Sequence, residues 1–280
     1  MPMNNRLLRP LQTPGLLDLV PGAAAAYSLR SLSRSYAGPV VTVRRSSDDA
    51  EDDFTAAEVS DGTLAAFCGA GDGFVKQWWD QSPNANHAFQ AGASAQPKIC
   101  DSGAVILSEG KPAILFDLDF LVATSTWGIS GTSDRSFFSV VEPDDLVNAR
   151  VYVGIGDDTA SALSQMWNLT SEHAVRAEGG NEVYGGGIVG KQQLAVHIFS
   201  GTNVTDNACF VNGASRAASS SSSTTIDTID TVCRIGRYGG SVTVLAAYYA
   251  GKVQEVIIYS SDQTANRELI EAQIAWSYSV

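Results

Sequence analysis

The chain has 280 residues, 44% of them hydrophobic, with a formal net charge of −12. That length buries a sizeable core, and the acidity excludes nucleic acid and anionic membrane as partners, because both are repelled at long range. No apolar run approaches the roughly 20 residues that span a bilayer, and the chain does not open with a basic segment followed by a hydrophobic stretch; neither a membrane span nor a secretion signal is expected. Four well-separated cysteines, Cys68, Cys100, Cys209 and Cys233, predict buried free thiols rather than zinc or a disulfide framework. In chain order, residues 1–22 read as an arm. Pro10, Pro14 and Pro21 favour an extended path, while Leu7, Leu8, Leu11, Leu16, Leu17 and Leu19 are too apolar for a free linker and must dock on this domain, a sister subunit or a larger assembly.

From Ala23 the spacing of Ala25, Leu29, Leu32 and Tyr36, closed by Gly38-Pro39, predicts a short helix over residues 23–36. Strands follow at 40–44, 74–79, 113–116, 137–141, 151–155, 194–199, 242–249 and 253–259, which are β-branched and aromatic runs separated by turn residues. Asn212-Gly213 marks a two-residue hairpin, and the run Ser219 to Ser223 a polar surface loop. A helix is expected over 262–276, with Leu269, Ile270, Ile274 and Trp276 on its apolar face and Asp262 as cap. Many strands, few helices and no βαβ alternation give an all-β fold, an antiparallel two-sheet jelly-roll sandwich over residues 23–280.

The stretch Trp78-Trp79-Asp80-Gln81-Ser82-Pro83-Asn84-Ala85-Asn86-His87 packs two indoles, a carboxylate, an imidazole and three amides into ten residues. Asp80 and Gln81 are placed to cap backbone groups around a turn. One indole faces the core and the other outward, where it could meet a glycan or an interface. His87 has no nucleophile beside it. Trp78, Trp79, Asp80, Gln81 and His87 are therefore the glycan or interface candidates, and no catalytic residue is assigned. The acidic run from Asp48 to Asp53 and the pairs Asp117/Asp119 and Asp157/Asp158 lack the spacing of a calcium loop. No cofactor is expected, and calcium is the one ion considered.

Two segments carry a resemblance. LAVHIFSG, CFVNGASR, CRIGRYGG and the segment from Gly251 to Trp276 resemble the second half of concanavalin A-like, laminin-G-like lectin domains. AAYSLRSLSRSYAGPVVTVRRSSDDAEDDF with FVKQWWDQSPNANHAFQ is similar to the opening of the catalytic domain of α-L-arabinofuranosidase B, which shares the sandwich. The same opening resembles proteins of tailed bacteriophages, where a short arm like Asn5-Arg6-Leu7-Leu8-Arg9-Pro10 precedes it.

These resemblances lead to two principal expectations. The first is a non-enzymatic virion protein, a capsid decoration or head-fibre component anchored by Asn5 to Pro10. It would be present in several copies, contact major capsid or tail proteins and display a lectin-like sandwich toward cell-surface glycan. The second is an arabinofuranosidase-type glycoside hydrolase. A retaining enzyme needs two carboxyl groups about 5 to 5.5 Å apart. The Glu-x-Asp-x-x-Glu strand pattern of the β-glucan-cleaving relatives and the adjacent cysteines of the arabinofuranosidases are both absent, leaving Glu172, Glu178 and Glu182 as candidates. A tail-fibre adhesin and a bacterial carbohydrate-binding module are further alternatives.

Overall fold

The computed structural model describes residues 13–123, 127–144, 150–156, 164–169, 172–177, 180–229, 233–237 and 248–280. Two antiparallel sheets form a sandwich-like arrangement. In one, the long strand Ala250–Tyr259 is central. Arg135–Pro143 pairs along one edge, and Ala25–Ser28 and Ile114–Asp117 share the other. The sheet continues outward through Gln193–Phe199, Asn207–Val211 and Ala214–Arg216. The second sheet runs from Ala218–Ser222 through Gly180–Gly185, Glu172–Ala177, Ser164–Leu169, Arg150–Ile155, Cys233–Ile235 and Leu121–Ala123. It goes on to Ala88–Phe89, Gly73–Trp78, Val41–Arg45 and Glu51–Phe54. Lys98–Asp101 bonds both Gly73–Trp78 and Ile114–Asp117 and so joins the sheets at one edge.

Strand alternation divides the apolar residues between two cores. Phe137 and Val141, Ala195 and Phe199, and Val253, Val256 and Ile258 face the space between the sheets. Phe138 and Val140, Leu194, Val196 and Ile198, and Ile257 and Tyr259 face the other way. That outer face is covered by the C-terminal helix Arg267–Tyr278, through Ile270, Ile274 and Tyr278, and by the short helix Leu16–Leu19. A strand covered on both sides has no polar face to show, which is why Val256-Ile257-Ile258-Tyr259 is an unbroken apolar run.

The part of the arm that is described docks on this same domain. Leu16 is fully buried, and Leu17 N donates to Leu32 O at 2.9 Å. Asp18 binds Ser33 Oγ at 2.7 Å and the Arg34 amide at 3.0 Å, bonds that hold its carboxyl down to about 2. Asn5 to Pro10 lie outside the described residues, as do residues 242–247 of the expected strand at 242–249.

Three expected elements differ. Residues 23–36 are not a helix, because Ala25–Ser28 is a strand in register with Ile258 to Glu255. Its other edge meets the Asp80-Gln81 segment, with Ala26 N donating to Asp80 Oδ1 at 2.7 Å and Gln81 N to Ala26 O at 2.8 Å. Hydrogen-bond partners on both sides override the helical preference of alanine. The serine run is also a strand, Ala218–Ser222, exposed throughout and paired with Gly180–Gly185. The last helix begins at Arg267, and Asp262 instead caps the preceding turn through Thr264 N at 2.8 Å. Its buried side is Ile270, Glu271, Ile274 and Tyr278, whereas Leu269 is 43% and Trp276 80% exposed. Two helices not anticipated, Ala56–Ser60 and Thr63–Cys68, precede Gly73–Trp78. The first carries a capping box in which Glu58 accepts from Thr55 N at 2.8 Å.

All four cysteines are buried and free. Among the described residues, no helix is long and apolar enough to cross a membrane.

Candidate functional site

Residues 78–87 fold into a knot that ties the first strand to the sandwich. Trp78 is fully buried in the inter-sheet core. Trp79 lies on the other side of the strand, its Nε1 donating to Thr42 Oγ1 at 2.9 Å and its ring 4.5 Å from that of His87. Asp80, 1% exposed, accepts from Ala26 N, Ser82 N, Ser82 Oγ and Asn86 N at 2.6–2.9 Å. Burial raises its carboxyl despite these donors. Gln81 accepts from Leu32 N at 2.8 Å and donates to the carbonyls of Ser28 and Arg30. Asn84 and Asn86 donate to the carbonyls of Ala23 and Ala24. His87 Nδ1 accepts from Asp80 N at 3.1 Å. Each polar group named here is spent on backbone or on a neighbour, so the knot's geometry is that of a brace. A cavity of about 530 Å³ opens beside it, lined by Asn84, Asn86 and Trp127 among others.

A second polar group lies deeper, between the sheets. The pairings Val175↔Glu182 and His173↔Tyr184 put these four side chains on one face. That face looks toward Tyr152 from Arg150–Ile155 and His197 from Gln193–Phe199. Tyr184 Oη donates to the Glu182 carboxylate, and Asn207 Nδ2 donates to Tyr184 Oη at 2.7 Å. Asn207 Nδ2 also lies 3.4 Å from His197 Nδ1, and Tyr152 Oη lies 3.1 Å from His197 Nε2. Because an amide nitrogen can only donate, Nδ1 accepts, and Nε2 carries the proton toward Tyr152. His173 Nε2 meets Gln193 Oε1 at 2.8 Å.

Burial sets the electrostatics of this group. It pushes His197 down to about 3 and His173 to about 4, so both imidazoles are neutral. It raises Glu182; the hydrogen bond from Tyr184 offsets part of that rise, and the negative charge of Asp206 adds to it. The result is a carboxyl with a raised affinity for its proton beside a phenol.

Of the three expected glutamates, Glu172 and Glu182 do not share a face. Glu172 pairs with Gly185 and Glu182 with Val175, positions three apart on one strand and therefore on opposite sides. Glu172 is half-buried and accepts from Ser219 Oγ at 3.2 Å. Glu178 lies outside the described residues. The carboxylate that Glu182 does sense, Asp206, escaped the sequence reading. It closes a short turn by accepting from Asn203 N at 2.7 Å. The polar partners Tyr152, Tyr184, His197 and Asn207 were missed too, because single polar residues in apolar strands carry no motif.

The acidic run does not converge on an ion. Asp48 pairs with Arg45 at 2.7 Å, Asp49 with Arg44 at 2.6 Å and Glu51 with Lys76 at 2.7 Å. Asp119 Oδ2 accepts from Asp117 N at 3.1 Å, and Asp157 and Asp158 lie outside the described residues. Among the described residues no three His, Cys, Asp or Glu side chains are grouped to hold a metal.

The antiparallel two-sheet arrangement makes the chain a β-sandwich, and the comparisons bear on that class. The family model for the catalytic domain of α-L-arabinofuranosidase B matches residues 18–110, which contain the whole knot. A GH54 α-L-arabinofuranosidase soaked with a cyclic sulfate inhibitor superposes with a TM-score of 0.58 at 15% identity, covering 90% of this chain and 62% of that one. An arabinofuranosidase complexed with arabinofuranosyl-α-1,2-xylobiose gives 0.54 at 17% identity, with the same coverage. The chain thus spans 62% of the length of these structures, and identity at this level speaks for the fold. No curated protein matches the sequence. The expectation of a non-enzymatic virion protein is corrected by these findings. The family model matched over residues 18–110 is that of a catalytic domain, and the likeness of fold to an arabinofuranosidase extends over nine-tenths of the chain.

Proposed function

We propose that this chain is an arabinofuranosidase-type glycoside hydrolase domain. The observation that carries the reading is the match of residues 18–110 to the catalytic domain of α-L-arabinofuranosidase B. It is supported by the likeness of 90% of the chain to GH54 structures. In this reading the sandwich is a concanavalin A-like jelly roll, and the knot around Asp80 holds its first strand in place. Glu182 is the proton-donating carboxyl. Burial raises its affinity for the proton above that of an ordinary carboxyl, and Tyr184 orients it. Asp206 is the nearby negative charge that reinforces this state.

Hydrolysis of 4-nitrophenyl α-L-arabinofuranoside by the purified chain tests the reading. Turnover above the uncatalysed rate is expected, falling about 100-fold or more in Glu182→Gln and remaining unchanged in Glu172→Gln. Absence of turnover, or turnover indifferent to Glu182→Gln, overturns it.

A further inference from the structure

Trp276 is the most exposed of the large hydrophobic side chains described, at 80%. The helix that carries it is otherwise well buried on one side through Ile270, Ile274 and Tyr278, so the indole is turned away from the core by the register of the helix itself. It stands over a cavity of about 450 Å³, whose other walls include Arg30, Ser31, Ser60, Lys111 and Ser277. That volume falls within the range of about 300 to 1,000 Å³ usual for small-molecule sites.

The walls are preorganised. Arg30 is clamped by two hydrogen bonds of 2.8 Å from Nε and Nη2 to the fully buried Glu255, and its guanidinium sits 5.7 Å from the Tyr278 ring centroid. Nη1 is not engaged by Glu255. Ser28 Oγ and Tyr278 Oη also reach Glu255, at 2.7 and 3.1 Å, so the carboxylate that fixes Arg30 is itself held. Lys111 is exposed. Gln254 Nε2 donates to the Lys111 carbonyl at 3.1 Å and so steadies the backbone that presents it.

We infer that this cavity is a saccharide-binding site, separate from Glu182, in which one sugar ring lies on the Trp276 indole while its hydroxyls take hydrogen bonds from Arg30 Nη1, Lys111 Nζ and the serine hydroxyls. A flat indole offers a large apolar surface to the C–H face of a sugar, and a few convergent donors supply orientation. The ligand is a neutral glycan. Arg30 is already neutralised by Glu255, and the net charge of −12 repels polyanions at long range. None of the lining residues belongs to the Glu182 group, so the assignment stands whether or not the chain hydrolyses anything.

The test is titration of the full chain with neutral arabino-oligosaccharides and xylo-oligosaccharides, followed by calorimetry and by the indole N–H resonances of the tryptophans in an ¹H–¹⁵N spectrum. The expected result is saturable binding that moves the Trp276 resonance. Affinity should fall at least tenfold in Trp276→Ala, fall less in Lys111→Ala, and persist in Glu182→Gln. Failure of both sugar series to move that resonance at millimolar concentration overturns the assignment. So does concentration-dependent self-association abolished by Trp276→Ala without any sugar binding, which gives the surface to a second copy of the chain. Because Trp276 is exposed, loss of binding in Trp276→Ala should come with an unchanged melting temperature.

Discussion

Asp80 and Glu182 are both buried carboxyls raised by desolvation, yet they sit among opposite sets of partners. Asp80 receives four donors, three of them backbone amides. Glu182 receives one phenol and faces the like charge of Asp206. A carboxyl surrounded by amides fixes the path of the chain, because removing it orphans every amide. A carboxyl with a single movable partner can give up a proton without taking the fold with it. The number and kind of donors, more than depth of burial, is what would separate a brace from the acid proposed at Glu182.

That contrast breaks first at Asp80. Replacing it with alanine strands the amides of Ala26, Ser82 and Asn86, and should cost on the order of 3–5 kcal/mol in denaturant unfolding. Asp80→Asn, which keeps one acceptor oxygen, should cost about half as much. Equal stability of wild type and Asp80→Ala would refute the brace.

Acid should weaken the polar group around Glu182 next. His197 and His173 have values near 3 and 4 in the fold against about 6.5 unfolded. Between pH 6.5 and 4 the unfolded chain therefore binds more protons, and stability falls as pH falls. For His197 alone the loss by pH 4 is on the order of 3 kcal/mol. Glu182 and Asp80 act with the opposite sign. Their protonated forms are favoured in the fold, so their contribution fades as pH rises through the raised values. The difference in melting temperature between wild type and His197→Gln across this window isolates the imidazole, and the variant should show the flatter slope.

Glu182→Gln is the third test. It retains an acceptor for Tyr184, so stability should stay within about 1 kcal/mol of wild type while arabinofuranoside turnover falls about 100-fold, some 2.7 kcal/mol in the barrier. Destabilisation as large as that of Asp80→Ala would make Glu182 a second brace. The smallest effect is expected at Trp276→Ala, within about 0.5 kcal/mol in stability, and a larger change in Tm would place that indole in the fold's support.

Much of the frame was legible. The hairpin at Asn212-Gly213, where both residues have positive φ at 50° and 76°, follows from the one dipeptide that adopts this turn cheaply. The apolar runs around Phe137, Leu194 and Val253 read as strands for the same reason that they are buried on two faces. The helices at 56–60 and 63–68 were legible in part, since Thr55 and Glu58 have capping-box spacing, but they are too short for periodicity to reveal. The brace at Asp80 could be anticipated as a cap and turn, although its partners Ala24, Ala26 and Leu32 lie some fifty to sixty residues away.

By itself, then, the order of residues determined the all-β class, the hairpin, the buried thiols and an acidic surface, because each follows from composition or from a period of two or four residues. Tertiary structure alone decided that Ala25–Ser28 is a strand, since its preference was outvoted by Ala250–Tyr259 on one edge and Asp80 on the other. It also decided that Glu182 rather than Glu172 joins His197 and Tyr184, and that Trp276 leaves the apolar face of its helix. Those outcomes depend on which strands become neighbours, and burial, charge and hydrogen-bond count at a residue exist only once they have.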